Sequence, residues 1–145
     1  MNTLQIKNGN SVLEIDLAQG SILSFTGNGR VLCEGNAYPL FVVGMIAENY
    51  EKSRISSFDC TLKKVEDKDG RYVFTYAYLK KLLITATITV EETTGDFRFR
   101  IQVKNNTKDL IEFVEYPGVS LEDDLDGSGN SKILWLFNEG ALVSY

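Results

Sequence analysis

The stretch Asp96-Phe97-Arg98-Phe99-Arg100-Ile101-Gln102-Val103-Lys104 sorts into two faces under a period of two, and under no other period. Phe97, Phe99, Ile101 and Val103 fall on one side; Asp96, Arg98, Arg100, Gln102 and Lys104 fall on the other. Successive side chains point to opposite faces only in extended backbone, so this is a strand with one face on a core and one in water. The alternation recurs. Leu82, Ile84, Ala86, Ile88 and Val90 interleave with Thr85, Thr87 and Thr89, a β-branched series that favours strand. Tyr72, Phe74, Tyr76 and Tyr78 share one face of residues 71–79, and Leu13, Ile15 and Leu17 oppose Glu14 and Asp16 in residues 12–17.

Turn signals separate these runs. Asn8-Gly9-Asn10 joins residues 4–7 to 12–17 as a hairpin, because Asn and Gly tolerate positive φ. Gly20 opens a strand over 21–26, and Gly27-Asn28-Gly29 closes it. Asp67-Lys68-Asp69-Gly70 ends a long strand expected over 53–66; Thr93-Thr94-Gly95 and Asn105-Asn106-Thr107 bracket the Phe97 strand. Residues 39–47 form an apolar run expected to be buried on both faces. Further strands are expected at 31–33, 110–121 and 132–137, and a helix at 45–53. About ten strands at short, regular spacing predict an all-β, antiparallel β-sandwich in a single domain, residues 1–145. Strands as long as 53–66 favour large, supersandwich-like sheets over an immunoglobulin-like domain. The closing run Gly140-Ala141-Leu142-Val143-Ser144-Tyr145 reads as a strand left without a covered edge, and the expectation is a fragment of a longer chain, incomplete at its C-terminus.

Composition narrows the function classes. With 145 residues, 43% apolar and 24% charged, the chain suits one folded domain rather than a disordered segment. No run approaches the roughly 20 apolar residues of a spanning helix, so no membrane partner is expected. Met1-Asn2-Thr3-Leu4-Gln5 lacks the basic start and apolar stretch of a signal peptide, which makes cytoplasmic the expected location. Net charge is −5 and the basic residues are scattered, so nucleic acid is not an expected partner. Cys33 and Cys60 are too few and too far apart for a disulfide framework or a metal site and read as reduced thiols. The chain contains no histidine. Any acid–base chemistry would therefore run on Asp, Glu, Lys or Tyr.

Three units carry a family resemblance. Residues 11–17 leading to Gly20-Ser21-Ile22-Leu23-Ser24-Phe25 form an opening hairpin in which a glycine precedes a core-wrapping strand. Residues 99–107 followed by Ile111-Glu112-Phe113-Val114-Glu115-Tyr116-Pro117 form a strand, an Asn turn, and a strand ending in aromatic-Pro. Leu134-Trp135-Leu136-Phe137-Asn138-Glu139-Gly140 supplies the next strand and an Asn-x-Gly turn. Together they resemble the N-terminal galactose-mutarotase-like β-supersandwich domain of glycoside hydrolases. That resemblance implies a non-catalytic scaffold that packs on a catalytic barrel domain of the same parent chain and shapes its substrate rim. Free-standing mutarotases of this fold rely on histidine plus glutamate, and the absent histidine departs from that pattern. A carbohydrate-binding module and a sugar epimerase working through carboxylates and Tyr are the alternative readings.

Candidate sites follow from residue types. Pyranose rings stack on aromatic faces while charged groups fix their hydroxyls, which singles out Trp135, Tyr116, Tyr38 and Tyr50 with Glu48 and Arg54 for carbohydrate. Core burial is the competing role, above all for Trp135 within an apolar strand. Asp124, Asp126 and Ser128, with Gly129 for a sharp turn, match the opening of a calcium loop. The twelfth position is Trp135, where a bidentate glutamate belongs, so an acidic inter-strand connection competes with calcium and no cofactor is otherwise expected. Glu112, Glu115, Glu122, Asp123 and Asp124 crowd one region, where a solvated acidic face competes with paired-carboxylate chemistry. Asn105-Asn106-Thr107 has the form of a glycosylation acceptor and reads as a turn.

Overall fold

The computed structural model describes residues 2–35, 38–122 and 128, together with the backbone of Lys132–Trp135 and Ala141–Ser144. The described residues form an all-β protein whose strand pairs are all antiparallel. A meander of β1 (Thr3–Asn8), β2 (Ser11–Asp16), β3 (Ser21–Gly27) and β4 (Arg30–Glu34) makes the first sheet. A hairpin of β5 (Val42–Ile46) and β6 (Lys52–Ser56) follows. A second meander comprises β7 (Thr61–Lys68), β8 (Arg71–Tyr78), β9 (Leu82–Glu91) and β10 (Asp96–Asn105). Next in sequence, β11 (Leu110–Glu115) returns to pair with β5, giving the order β11-β5-β6. A last hairpin pairs β12 (Lys132–Trp135) with β13 (Ala141–Ser144).

One core joins the three larger sheets. The β7–β10 sheet supplies Phe74, Tyr76, Leu82, Ile84, Ala86 and Ile88 from the faces predicted to be inward. Against them pack Ile6, Leu13, Ile15, Ile22 and Cys33 from the first sheet, and Val43, Met45 and Ile55 from the β11-β5-β6 sheet. Edge-to-face aromatic pairs lock the layers: Phe41 on Tyr76 at 5.2 Å, Phe25 on Phe97 at 5.7 Å and Phe99 on Tyr116 at 5.8 Å between ring centres.

The tight turns follow their sequence chemistry. Asn28-Gly29 and Asp69-Gly70 both take positive φ, the geometry whose twist matches the flanking strands. The first hairpin differs from expectation. Asn8 belongs to β1 opposite Ser11, and the loop is Gly9-Asn10. The Asn8 side chain is buried and donates to the carbonyls of Asp96 (2.9 Å) and Glu91 (3.4 Å), stapling the first sheet to the β9–β10 turn.

Three expectations are corrected. Residues 53–66 are two strands in two sheets, separated by a 3-10 turn at Ser57–Asp59. The cause is local: Asp59 accepts hydrogen bonds from the Ser56 N–H (2.8 Å) and hydroxyl (2.7 Å), a capping arrangement that competes with the ladder. Residues 45–53 form no helix; Ile46 pairs with Lys52 across a loop in which Tyr50 has φ 65° and the Glu51 N–H donates to the Asn49 side chain (3.2 Å). The strand expected over 110–121 stops at Glu115, and its continuation meets the first sheet at an isolated β-bridge from Leu121 to Cys33.

Between the sheets sits a buried polar node. Leu40 N–H lies within reach of Gly20 O (2.9 Å) and Ser57 Oγ (2.8 Å), the Ser57 hydroxyl donates to Gly20 O, and Gly118 N–H donates to Leu40 O (2.8 Å). Ser57 is 2% exposed, so no water replaces a lost partner. Ser57→Ala is expected to cost about 1–3 kcal/mol in urea unfolding; a change within a few tenths of a kcal/mol would show that the node is not structural.

Candidate functional site

The open side of the sandwich lies along β10 and β11. These strands are consecutive in sequence yet belong to different sheets, so the chain between them arches across the core. Asn105 shapes the arch: its carboxamide donates to Asp109 O (2.7 Å) and accepts from the Thr107 N–H (2.9 Å) and hydroxyl (2.8 Å). Its side chain thus organises the predicted turn. Among the described residues, neither β10 nor β11 has a partner on its outer edge. Leu110 (70% exposed), Ile111, Val114 and Leu121 leave large apolar area in solvent here.

Beside this edge the first sheet and β10 part to leave an apolar cleft of about 220 Å³, lined by Leu13, Ile22, Phe25, Phe97, Phe99 and Val119. The segment after β11 forms its wall, held by the Leu121–Cys33 bridge and by Glu122 N–H donating to Leu32 O (2.9 Å). The inward residues of β10 are accordingly only half-buried, whereas Leu82, Ile84, Ala86 and Ile88 of β9 are fully buried.

The structure does not gather the aromatic candidates into one platform. Tyr116 packs its ring against Phe99, and its hydroxyl donates to Thr87 O (3.0 Å); burial holds that hydroxyl well above the usual tyrosine range. Tyr38 (57% exposed) precedes β5, while Glu48 and Tyr50 (86% exposed) follow it, so the two tyrosines flank opposite ends of that strand. Arg54 lies in β6 with its guanidinium 5.1 Å above the Phe113 ring and 3.1 Å from Glu115. Trp135 lies in β12, of which only the backbone is described. Asp124 and Asp126 lie outside the described residues, as does Asp123; Ser128 is exposed. Among the described residues no group of three or more Cys, Asp or Glu is placed to hold a metal ion.

The carboxylates at 112 and 115 instead bridge a sheet. Glu112 pairs with Lys52 (2.5 Å) and Glu115 with Arg54 (3.1 Å), both reaching over β5 between its two flanking strands. Phe113 lies across Gly44, where a Cβ would sit 2.2 Å from its ring. The exposed ion pairs contribute at most about 1 kcal/mol each. Cys33 and Cys60 are free thiols; burial, with help from Asp59, pushes Cys60 up to about 11, so at neutral pH it is protonated and a poor nucleophile.

Sequence reasoning missed Asn8, Ser57 and Gly118 as the residues that tie sheets together. Of these, only the turn that places Ser57 had a readable signal, the Ser-x-x-Asp spacing of Ser56 and Asp59. Among the described residues no helix is long and apolar enough to cross a membrane. Compared with protein-family models, with curated proteins and with solved structures, the chain matches none. Fold class is therefore what the structure defines: an antiparallel, all-β sandwich.

Proposed function

We propose that this chain is a non-catalytic scaffold domain of a carbohydrate-active enzyme, a glycoside hydrolase with a galactose-mutarotase-like supersandwich, and that its open side packs on the catalytic barrel of the same polypeptide. The carrying observation is the unpaired edge of β10 and β11 with exposed Leu110, Ile111, Val114 and Leu121 beside the apolar cleft. Exposed large apolar side chains next to free strand edges favour a covering partner. The enzyme class rests on the likeness of the three sequence units to that family. Two of these units fall on β2–β3 and on the β10–β11 arch.

Titration calorimetry of the chain against the barrel of its parent polypeptide, supplied separately, should show a one-to-one complex. Leu110→Asp combined with Val114→Asp should abolish it while leaving circular dichroism unchanged. A wild-type chain that fails to bind the barrel, or a double variant that binds as well as wild type, overturns the proposal.

A further inference from the structure

The solvent face of the β7–β10 sheet is basic, although the chain as a whole carries 15 basic and 20 acidic residues. Register sets the face. Lys68, Arg71, Thr89 and Arg98 lie in one row across the four strands. Glu66, Val73, Thr87 and Arg100 make the next, then Lys64, Thr75, Thr85 and Gln102, and Lys104 stands beyond. Glu91 and Asp96 close the near end. Residues scattered in sequence thus meet as six cations against three carboxylates on one sheet face. With strands about 4.8 Å apart and alternate residues about 6.8 Å apart, the field measures roughly 14 by 20 Å.

Internal pairing consumes part of this charge. Glu66 holds Lys64 (3.0 Å) and Lys68 (3.4 Å), and Glu91 holds Arg98 (3.2 Å). Arg71 and Arg100 have no ion-pair partner among the described residues. They line a shallow depression with Arg98, Thr87, Thr89 and Phe99, and with Glu91, whose carboxylate is taken up by Arg98.

We propose that this face binds an anionic polysaccharide, a chain carrying uronate-type carboxylates. Arg guanidinium matches a carboxylate with two parallel hydrogen bonds, and the half-buried Thr75, Thr85 and Thr89 beside them carry hydroxyls that can donate to and accept from sugar hydroxyls. Single-stranded nucleic acid fits less well, because its bases need aromatic platforms. The rings of this sheet (Tyr72, Phe74, Tyr76, Tyr78, Phe97 and Phe99) all belong to its core side. The choice of a glycan rests on the carbohydrate-active reading above. The face itself is the one turned away from the core; it shares strand β10 with the apolar edge but none of the exposed apolar residues there.

The probe is polygalacturonate, with neutral dextran and a single-stranded oligonucleotide as comparisons, followed by calorimetry at low and moderate salt. Wild type should bind polygalacturonate, lose affinity as salt rises and ignore dextran. Arg71→Glu with Arg100→Glu should weaken binding roughly tenfold or more, since two attractions become repulsions. Lys80→Glu with Lys108→Glu makes the same charge change in loops outside the face and should leave binding within about twofold. Equal losses in both pairs, tighter binding to the oligonucleotide, or no polygalacturonate binding overturns the inference. Barrel docking scored through Leu110 and Val114 is read separately, so either idea can fail without the other.

Discussion

Gly118→Ala is expected to destabilise the domain by more than about 3 kcal/mol, at or beyond the upper end of overpacking costs. A Cβ at this position would lie 1.9 Å from Pro39 O and 3.1 Å from its carbonyl carbon. The obstacle is backbone rather than the end of a flexible side chain. That backbone is itself fixed, because the adjoining Leu40 is hydrogen-bonded to Gly20 and Ser57 as well as to Gly118. Relief requires the β11 exit segment to lift off, which breaks Gly118 N–H to Leu40 O and strains the Leu121–Cys33 bridge beyond it. Urea unfolding followed by fluorescence measures the effect, with Gly44→Ala as the comparison. There the obstruction is the Phe113 ring at 2.2 Å, on an outer strand with half-exposed surroundings where a side chain can swing aside. Gly44→Ala should therefore cost less than Gly118→Ala. The reverse order would mean that the Gly118 crossing yields more readily than its hydrogen bonds imply.

What was legible in the sequence tracks how local its cause is. The inward and outward faces of β9 and β10 follow from a period of two that each strand carries within itself, and the structure places them as read. The two-residue turns at Asn28-Gly29 and Asp69-Gly70 are equally local. Failures begin where a segment changes sheet. Residues 53–66 keep a strand-like composition throughout, yet the Ser56–Asp59 hydrogen bonds redirect the chain from one sheet to another. Residues 45–53 have helix-compatible composition, but Asn49 and the positive φ of Tyr50 close a hairpin loop instead.

The candidate site was less legible still. Tyr116 resembles a rim aromatic because it ends a strand before a proline, and only the fold turns its ring inward onto Phe99. The basic face was invisible for the opposite reason. Arg71, Arg98 and Arg100 are ordinary surface residues in their own strands, and antiparallel register brings them side by side.

Phe41→Ala is expected to cost about 3–5 kcal/mol, the range for emptying a fully buried aromatic site. Phe41 is wholly inaccessible and meets Tyr76 edge-to-face at 5.2 Å, so it couples the segment entering β5 to the centre of β8. Its backbone is pinned by Ser57 N–H donating to Phe41 O (3.1 Å), which limits collapse into the void and keeps the cost high. Tyr76→Phe separates ring packing from polarity at the same contact. The Tyr76 hydroxyl is buried without a hydrogen-bond partner among the described residues, and burial holds it far from ionising. Removing it keeps the ring pair and deletes an unsatisfied group, so stability should hold or rise by about 1 kcal/mol. Both variants are read in urea at constant m-value, where a midpoint shift reports stability alone. A loss in Tyr76→Phe comparable to that in Phe41→Ala would reveal a partner for the hydroxyl, while a near-neutral Phe41→Ala would mean that the sheets close over the cavity. Opposite signs at one contact are the signature of a core joined by shape rather than by hydrogen bonding.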